Sequence, residues 1–353
     1  MSHMKRIQAA MKEAGLAALL LTDPVSCRYA SGFYFTDGAV LIRREDAFLI
    51  TDSRYTEAAE KEAKDVVVLE FGRKRSPYTL VAELCTGLET VGAEEERMSV
   101  AEWRGWEEKL GRRFTEASHI LRRLRQSKDD FERESLIAAQ RIAERALDDV
   151  LGLLRPGLTE KEVAAELTYR MLLYGGEEMS FDPIVVTGSK TSLPHGVPGD
   201  RRICAGDFVT MDFGTKKNGY CSDMTRTVAI GSATEEMRAV YNTVLEAQLC
   251  GIAAARAGVR GCDIDGAARK VIAAAGYGDY FGHGFGHSLG LEIHEAPNAN
   301  TRNERPMPVG AVISAEPGIY LPGRFGVRIE DVLILHEKGC ENITKAPKEL
   351  LIL

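Results

Sequence analysis

Two aspartates, Asp212 and Asp223, lie in the stretch VTMDFGTKKNGYCSDMTRTVAI, followed by a glycine-rich histidine segment at 282–290 and two later glutamates, Glu316 and Glu330. Carboxylates and an imidazole are ligands for divalent cations, and this set can hold two. Around the aspartates, two alternating apolar runs flank a turn-rich centre with Asn218-Gly219, the pattern of two antiparallel strands joined by a tight turn. Cross-strand pairing brings the two carboxylates together. Glu330 is embedded in FGVRIEDVLIL, an apolar run expected as a buried strand, and Glu316 in VISAEPGIY precedes a proline that favours extended backbone. Ionised carboxylates buried there without partners are expensive, and nearby Arg226 offers a single positive charge. Pairing with Arg328, two residues from Glu330, leaves both groups desolvated. A metal centre is the natural compensator. Each residue alone has a plainer reading, a turn aspartate or a satisfied core histidine at His287; the set does not.

The order Asp212, Asp223, His287, Glu316, Glu330, carried by the strings MDFGTKKNGYCSDMTRT, GHGFGHSLGLEIHE, AEPGIY and GVRIEDV, resembles the pita-bread metallopeptidases. That family includes methionine aminopeptidase, prolidase, aminopeptidase P and creatinase. PHG at 194–196, the HGFGH segment and IHE at 293–295 are similar to the histidine motifs of the Xaa-Pro branch. The likeness covers 128–353, while 4–125 resembles a creatinase-type amino-terminal domain through its length, its alternating elements and the DPVSCRYASGF segment. The implied fold is α/β (α+β) in two domains, a small mixed α/β domain at 4–125 and a pita-bread catalytic domain at 128–353.

The resemblance implies that Asp223 and Glu330 bridge two divalent ions, that Asp212 chelates one, and that His287 with Glu316 completes the other. It gives Glu316 a second, catalytic task as proton shuttle. His195, His283 and His294 take the place of outer catalytic histidines, with His195 and His294 also lining the substrate pocket beside Arg328. Oxygen-rich ligation with one imidazole favours manganese, with cobalt, iron or zinc as alternatives. Four carboxylates against two divalent ions make a nearly neutral site, which permits burial. Two such ions lower the pKa of a shared water and polarise a carbonyl, the requirements of amide hydrolysis.

The expected activity is metal-dependent hydrolysis of the bond before proline by an Xaa-Pro dipeptidase. That bond is a tertiary amide without an N–H, so it demands a dedicated pocket and an acid for the leaving nitrogen. An Xaa-Pro aminopeptidase acting on longer peptides is the alternative; more remote are a creatinase-like amidinohydrolase, which needs no metal, and a non-catalytic binding protein on the same fold. Arg328 is the candidate cation for a free proline carboxylate. Peptides with proline in second position are the expected partners, and kinship with the Xaa-Pro branch implies a homodimer.

Composition excludes other classes. The chain has 353 residues, 44% of them hydrophobic, and no apolar stretch approaches a membrane span, so no membrane partner is expected. A net charge of −7 and a pI of about 5.7 argue against nucleic acid; LRRLRQSK at 121–128 reads as a solvated linker face. Seven cysteines without a CxxC pair suit a reducing cytoplasm, and Cys221, without a partner histidine, is no nucleophile.

The elements that must carry these residues follow from periodicity. Strands are expected at 16–22, 39–44, 47–51 and 65–70, with an amphipathic helix at 53–64. A long helix is expected from about Asp129 to Leu154, ending before Pro156-Gly157, and Thr159 with Glu162 forms a capping box for the next. Further helices are expected at 234–257 and 261–275; no internal repeat is visible.

Overall fold

The computed structural model describes residues 2–353. The chain divides into two compact units, one ending at Arg125 and the other running from Gln126 to Leu353. In the first, strands β1 (Ala18–Leu21), β2 (Gly38–Arg43), β3 (Ala47–Thr51), β4 (Val67–Glu70), β5 (Val91–Ala93) and β6 (Thr115–Glu116) form a sheet of order β4-β3-β2-β1-β5-β6. Pairs β1–β2 and β2–β3 are antiparallel; β3–β4, β1–β5 and β5–β6 are parallel. The central strand β1, ALLL, is buried throughout, as a strand covered on both faces must be. Helices α1 (His3–Glu13), α2 (Pro24–Ser31), α3 (Thr56–Glu62), α4 (Pro77–Leu84), α5 (Val100–Leu110) and α6 (Ser118–Arg125) complete the unit. Leu20, Leu41, Ile50, Val81 and Trp106 belong to its apolar core.

The second unit repeats one plan. Helices α7 (Asp130–Leu151) and α8 (Glu160–Leu173) precede β7 (Ile184–Thr187), β8 (Phe208–Phe213), the short β9 (Lys216–Lys217) and β10 (Tyr220–Cys221), and β11 (Met224–Ala229). Helices α9 (Glu235–Ala254) and α10 (Gly261–Ala274) then precede β12 (Gly286–Ser288), β13 (Glu295–Ala299), β14 (Val312–Ala315), β15 (Gly318–Leu321), β16 (Phe325–Arg328), β17 (Asp331–His336) and β18 (Gly339–Asn342). The first half gives an antiparallel sheet β11-β8-β7, the second the order β13-β12-β14-β17-β18 plus the hairpin β15–β16. Helix–helix–sheet thus occurs twice, without sequence repetition to betray it. Two apolar clusters fill this unit, one around Leu147, Leu167 and Met211, the other around Val244, Phe285 and Leu333. No described helix is long and apolar enough to cross a membrane.

Local chemistry explains the helix starts. Asp129 with Glu132 and Thr159 with Glu162 form reciprocal capping boxes at α7 and α8, each satisfying two otherwise orphaned amides. The segment 121–128 departs from the linker expectation. Its first half continues α6, burying Leu121 and Arg125, and Lys128 is buried as well. The apolar spacing of Ile120 and Leu121 against the flanking arginines is a helix face rather than a linker. The run FGVRIEDVLIL is likewise not one strand: β16 and β17 belong to different sheets, and Glu330 sits between them.

Candidate metal centre

Asp212 and Asp223 reach the same place because β8 and β11 pair antiparallel, with Thr225 opposite Asp212 and Met224 opposite Phe213. Between them the chain turns through Asn218 and Gly219, both at positive φ (52° and 81°), the requirement of a tight hairpin whose twist matches its strands. Glu177 accepts both turn amides. At Gly214, where the hairpin narrows, a Cβ would lie 1.9 Å from the Ser222 carbonyl oxygen, so only glycine permits the approach.

His287 sits in β12, where pairing with β13 slips between Gly286 and Ser288. Such irregularities re-aim a side chain beside a site. Gly286 is needed for the same reason as Gly214: its Cβ would meet the Ser314 carbonyl oxygen at 1.9 Å. Glu316 follows β14, and its amide donates to the Phe285 carbonyl. The Glu330 amide donates to the Thr225 carbonyl, which ties the second half to the first.

The ligand atoms that Asp223, His287 and Glu330 offer lie within 4.8 Å of one another. His287 Nε2 is 3.6 Å from an Asp223 oxygen and 3.4 Å from a Glu316 oxygen. Its Nδ1 lies 3.2 Å from the Ser288 carbonyl and must donate to it, so the Nε2 lone pair faces the carboxylates. Burial above all, then repulsion from Glu330, Asp212 and Glu316, pushes Asp223 well above the usual carboxylate range. Burial and repulsion from Glu316 and Asp212 do the same to Glu330. Glu316 is raised by burial, partly offset by His283 and Arg328. Burial lowers His287, which keeps it a neutral ligand.

These residues fit a metal. Oδ1 of Asp212 is buried with no hydrogen-bond partner, an orphaned acceptor of the kind a cation satisfies. A lone pair on His287 aimed at two carboxylate oxygens is repulsive unless a positive centre lies between them.

The cavity around this cluster, about 490 Å³, is also lined by His195, His283, His294 and Arg328, with Phe181, Ile184 and Pro194 supplying apolar wall. His283 Nε2 lies 2.8 Å from the Tyr320 hydroxyl and its Nδ1 2.9 Å from the Gly284 carbonyl. The His294 and His287 rings meet edge-to-face at 4.4 Å. Burial lowers both His283 and His294. Arg328 is tied down: Nε donates to Thr225, Nη1 to Tyr320 and to the Pro194 carbonyl, and Nη2 to Asp212 at 2.5 Å. Burial works against the Arg328 charge, but Tyr320, Asp212, Glu316 and Glu330 outweigh it and raise its pKa. Arg226 stands on the other face of β11 and pairs with Asp331 at 2.8 Å, away from the carboxylate cluster. Cys221 is buried, its thiol pushed up to about 12 chiefly by burial, consistent with an inert residue.

Three residues escaped sequence reasoning. Thr225 donates to Glu330 at 2.7 Å, and Tyr320 links His283 to Arg328. Gln248, wholly buried on α9, donates through Nε2 to the carbonyls of Ala315 and Ile329, the residues preceding Glu316 and Glu330. Only the β11 alternation, which puts Thr225 on the Asp223 face, was a usable signal.

The chain is similar to known proteins in sequence and fold. The description of metallopeptidase family M24 matches residues 134–337, and that of the creatinase/prolidase N-terminal domain matches 3–127. The chain therefore belongs to the M24 metallopeptidases and is a metal-dependent hydrolase of mixed α/β, two-domain architecture. Its structure is similar to that of an Xaa-Pro dipeptidase from Bacillus anthracis, at 41% identity and a TM-score of 0.95 over 99% of both chains. It is similar to an X-Pro aminopeptidase from Thermotoga maritima, at 38% identity and a TM-score of 0.93, covering 98% of this chain and 100% of that one. In sequence it is 36% identical to an Xaa-Pro dipeptidase of Pyrococcus furiosus over 99% of each chain.

Proposed function

We propose that this protein is an Xaa-Pro dipeptidase working with two divalent ions. The observation that carries the reading is the convergence of Asp212, Asp223, His287, Glu316 and Glu330 with three further imidazoles on one cavity, about 490 Å³, a size suited to a small peptide. Asp212, Asp223, His287, Glu316 and Glu330 are the residues that would hold the ions. Two bound ions would supply Lewis-acid polarisation of the scissile carbonyl and a water acidic enough to attack it. Manganese suits the oxygen-rich set.

The chain's own residues do the rest. Glu316 accepts a proton from the attacking water and returns it to the proline nitrogen as that leaves. His195 and His294 donate to the carbonyl or to the charge that develops on its oxygen, while His283, with both ring nitrogens engaged by Gly284 and Tyr320, lines the same cavity. His283 reaches Tyr320, so its orientation is fixed from behind. Phe181, Ile184 and Pro194 offer apolar wall to the pyrrolidine ring. Seven free cysteines suit a reducing cytoplasm, and a homodimer is the assembly we expect from light scattering.

One observation favours an Xaa-Pro aminopeptidase instead. Arg328 is the one lysine or arginine among the described residues lining the cavity, and its guanidinium is already engaged by Asp212, Tyr320 and Thr225. A free proline carboxylate then has to compete with Asp212 for it. Comparing kcat/KM for Ala-Pro and Ala-Pro-Ala, with metal content measured on the same sample, decides between the two. A dipeptide preference supports the proposal; a tripeptide preference of about tenfold or more, some 1.4 kcal/mol, reverses it.

A further inference from the structure

Lys128 is 3% exposed, an uncommon place for a lysine. Its Nζ donates to Ser288 Oγ and to Glu295 Oε2, both at 3.1 Å, and the Lys128 and Glu295 side chains are 1% and 5% exposed. The Lys128 amide donates to the Gly310 carbonyl, which fixes the chain at its root. Glu295 accepts the Glu292 amide at 3.1 Å through its other oxygen. A Cβ on Gly290 would fall 2.7 Å from that carboxylate, so the 288–295 turn is wrapped around it.

What makes this pair more than a staple is its place in the chain. Ser288 and Glu295 face each other across β12 and β13, and each directly follows an imidazole of the cavity, His287 and His294. Successive residues of extended chain point to opposite sides. The two histidines therefore face the cavity while Ser288 and Glu295 face Lys128, and the His287–His294 ring contact at 4.4 Å is held from behind by one buried cation. Burying an ion pair is costly unless its geometry is good and further hydrogen bonds support it, as Ser288 and the Glu292 amide do here.

We propose that Lys128 and Glu295 form a positioning pair that sets His294 against His287. The assignment of His294 to catalysis rests on the function proposed above; the position of its ring does not.

The test uses the full chain with Lys128→Met/Glu295→Met, which removes both charges together, alone and combined with His294→Ala. With metal content retained, the pair variant should lose about ten- to a hundredfold in kcat on Ala-Pro, as expected for misplacement by about 1 Å, with KM changed less than about threefold. In the His294→Ala background the same change should cost less than about twofold more, because the pair acts through that ring. A crystal structure of the metal-free pair variant should show His294 displaced by about 1 Å or more from its contact with His287. Wild-type kcat in the pair variant, a fully additive loss in the His294→Ala background, or an unmoved ring each overturns the proposal. An inactive wild type refutes the Xaa-Pro reading instead, and the ring position still tests the pair. If the double variant does not fold, Lys128→Gln, which keeps a donor and removes only the charge, is read by the same criteria.

Discussion

Asp223→Asn should stabilise the metal-free protein while weakening the metal-loaded one. Asp223 is 4% exposed, and it and Glu330 offer oxygens within 4.8 Å of each other. Two unit charges at that separation repel by about 3.5 kcal/mol at the effective dielectric of roughly 20 that suits protein sites. The metal-free protein avoids this by keeping protons on the cluster, since burial and mutual repulsion hold Asp223 and Glu330 well above the usual carboxylate range. A carboxyl raised in the folded state contributes stability that is fully present below its unfolded value near 4 and is lost as pH rises through the raised value. The penalty attached to Asp223 therefore grows from little at about pH 4 toward about 3.5 kcal/mol at about pH 8. His283, His287 and His294 are lowered chiefly by burial, so at about pH 8 they are neutral in folded and unfolded states alike and drop out of the comparison. Urea unfolding of chelator-treated wild type and Asp223→Asn at both pH values, then with saturating manganese, reads the effect. The variant should nearly match wild type at the lower pH, exceed it by up to about 3.5 kcal/mol at the higher, and fall below it once manganese is present, because it has lost a proposed metal ligand and the linkage that comes with binding. A metal-free variant less stable than wild type at about pH 8 would refute the reasoning, since Asp223 would then be held by favourable contacts rather than tolerated for an ion.

Chelation to verified metal-free protein should abolish Ala-Pro cleavage and added manganese should restore it; persistent turnover without metal removes the dinuclear mechanism. Alanine at His195, His283 or His294 should each cut kcat about a hundredfold with metal content unchanged; loss of an ion from His294→Ala would move that residue to the metal side. Arg328→Met releases Asp212 from its ion pair, so it should weaken metal binding by about ten- to a hundredfold and slow di- and tripeptides alike. A KM rise confined to Ala-Pro would instead assign Arg328 to the proline carboxylate.

The carboxylates and His287 were legible because each is a costly residue in an apolar or glycine-rich string, and burial without compensation is a local contradiction the sequence displays. The long helices α7 and α9 were legible for a similar reason, since caps and apolar spacing are local. Thr225, Tyr320 and Gln248 were not. Each is an ordinary polar residue at an ordinary position, and its partner is remote: Thr225 meets Glu330 across 105 residues, Gln248 meets Ala315 across 67. The two arginines show the same limit from the other side. Arg226, the single positive charge close in sequence to Asp223, is turned by strand alternation to Asp331. Arg328, 116 residues from Asp212, is the one that arrives. Lys128 was read as part of a solvated segment because one apolar face, without the fold, gives no hint of a buried carboxylate waiting at Glu295.

The arrival of Arg328 changes the charge balance of the site. Asp212, Asp223, Glu316 and Glu330 bring about four negative charges, and two divalent ions bring about four positive ones. A hydrolytic nucleophile adds one more negative charge, which the ligands and ions alone leave uncompensated in a buried cavity. Arg328, with a side chain 5% exposed and a direct bond to Asp212, supplies the missing positive charge. It does so through Asp212, whose other oxygen, Oδ1, is buried with no hydrogen-bond partner. On this account the guanidinium is part of the metal centre's electrostatics before it is a substrate contact, and neutrality is reached only when the nucleophile is in place. The site is then complementary to the state about to react rather than to the resting one, which is where binding energy lowers a barrier.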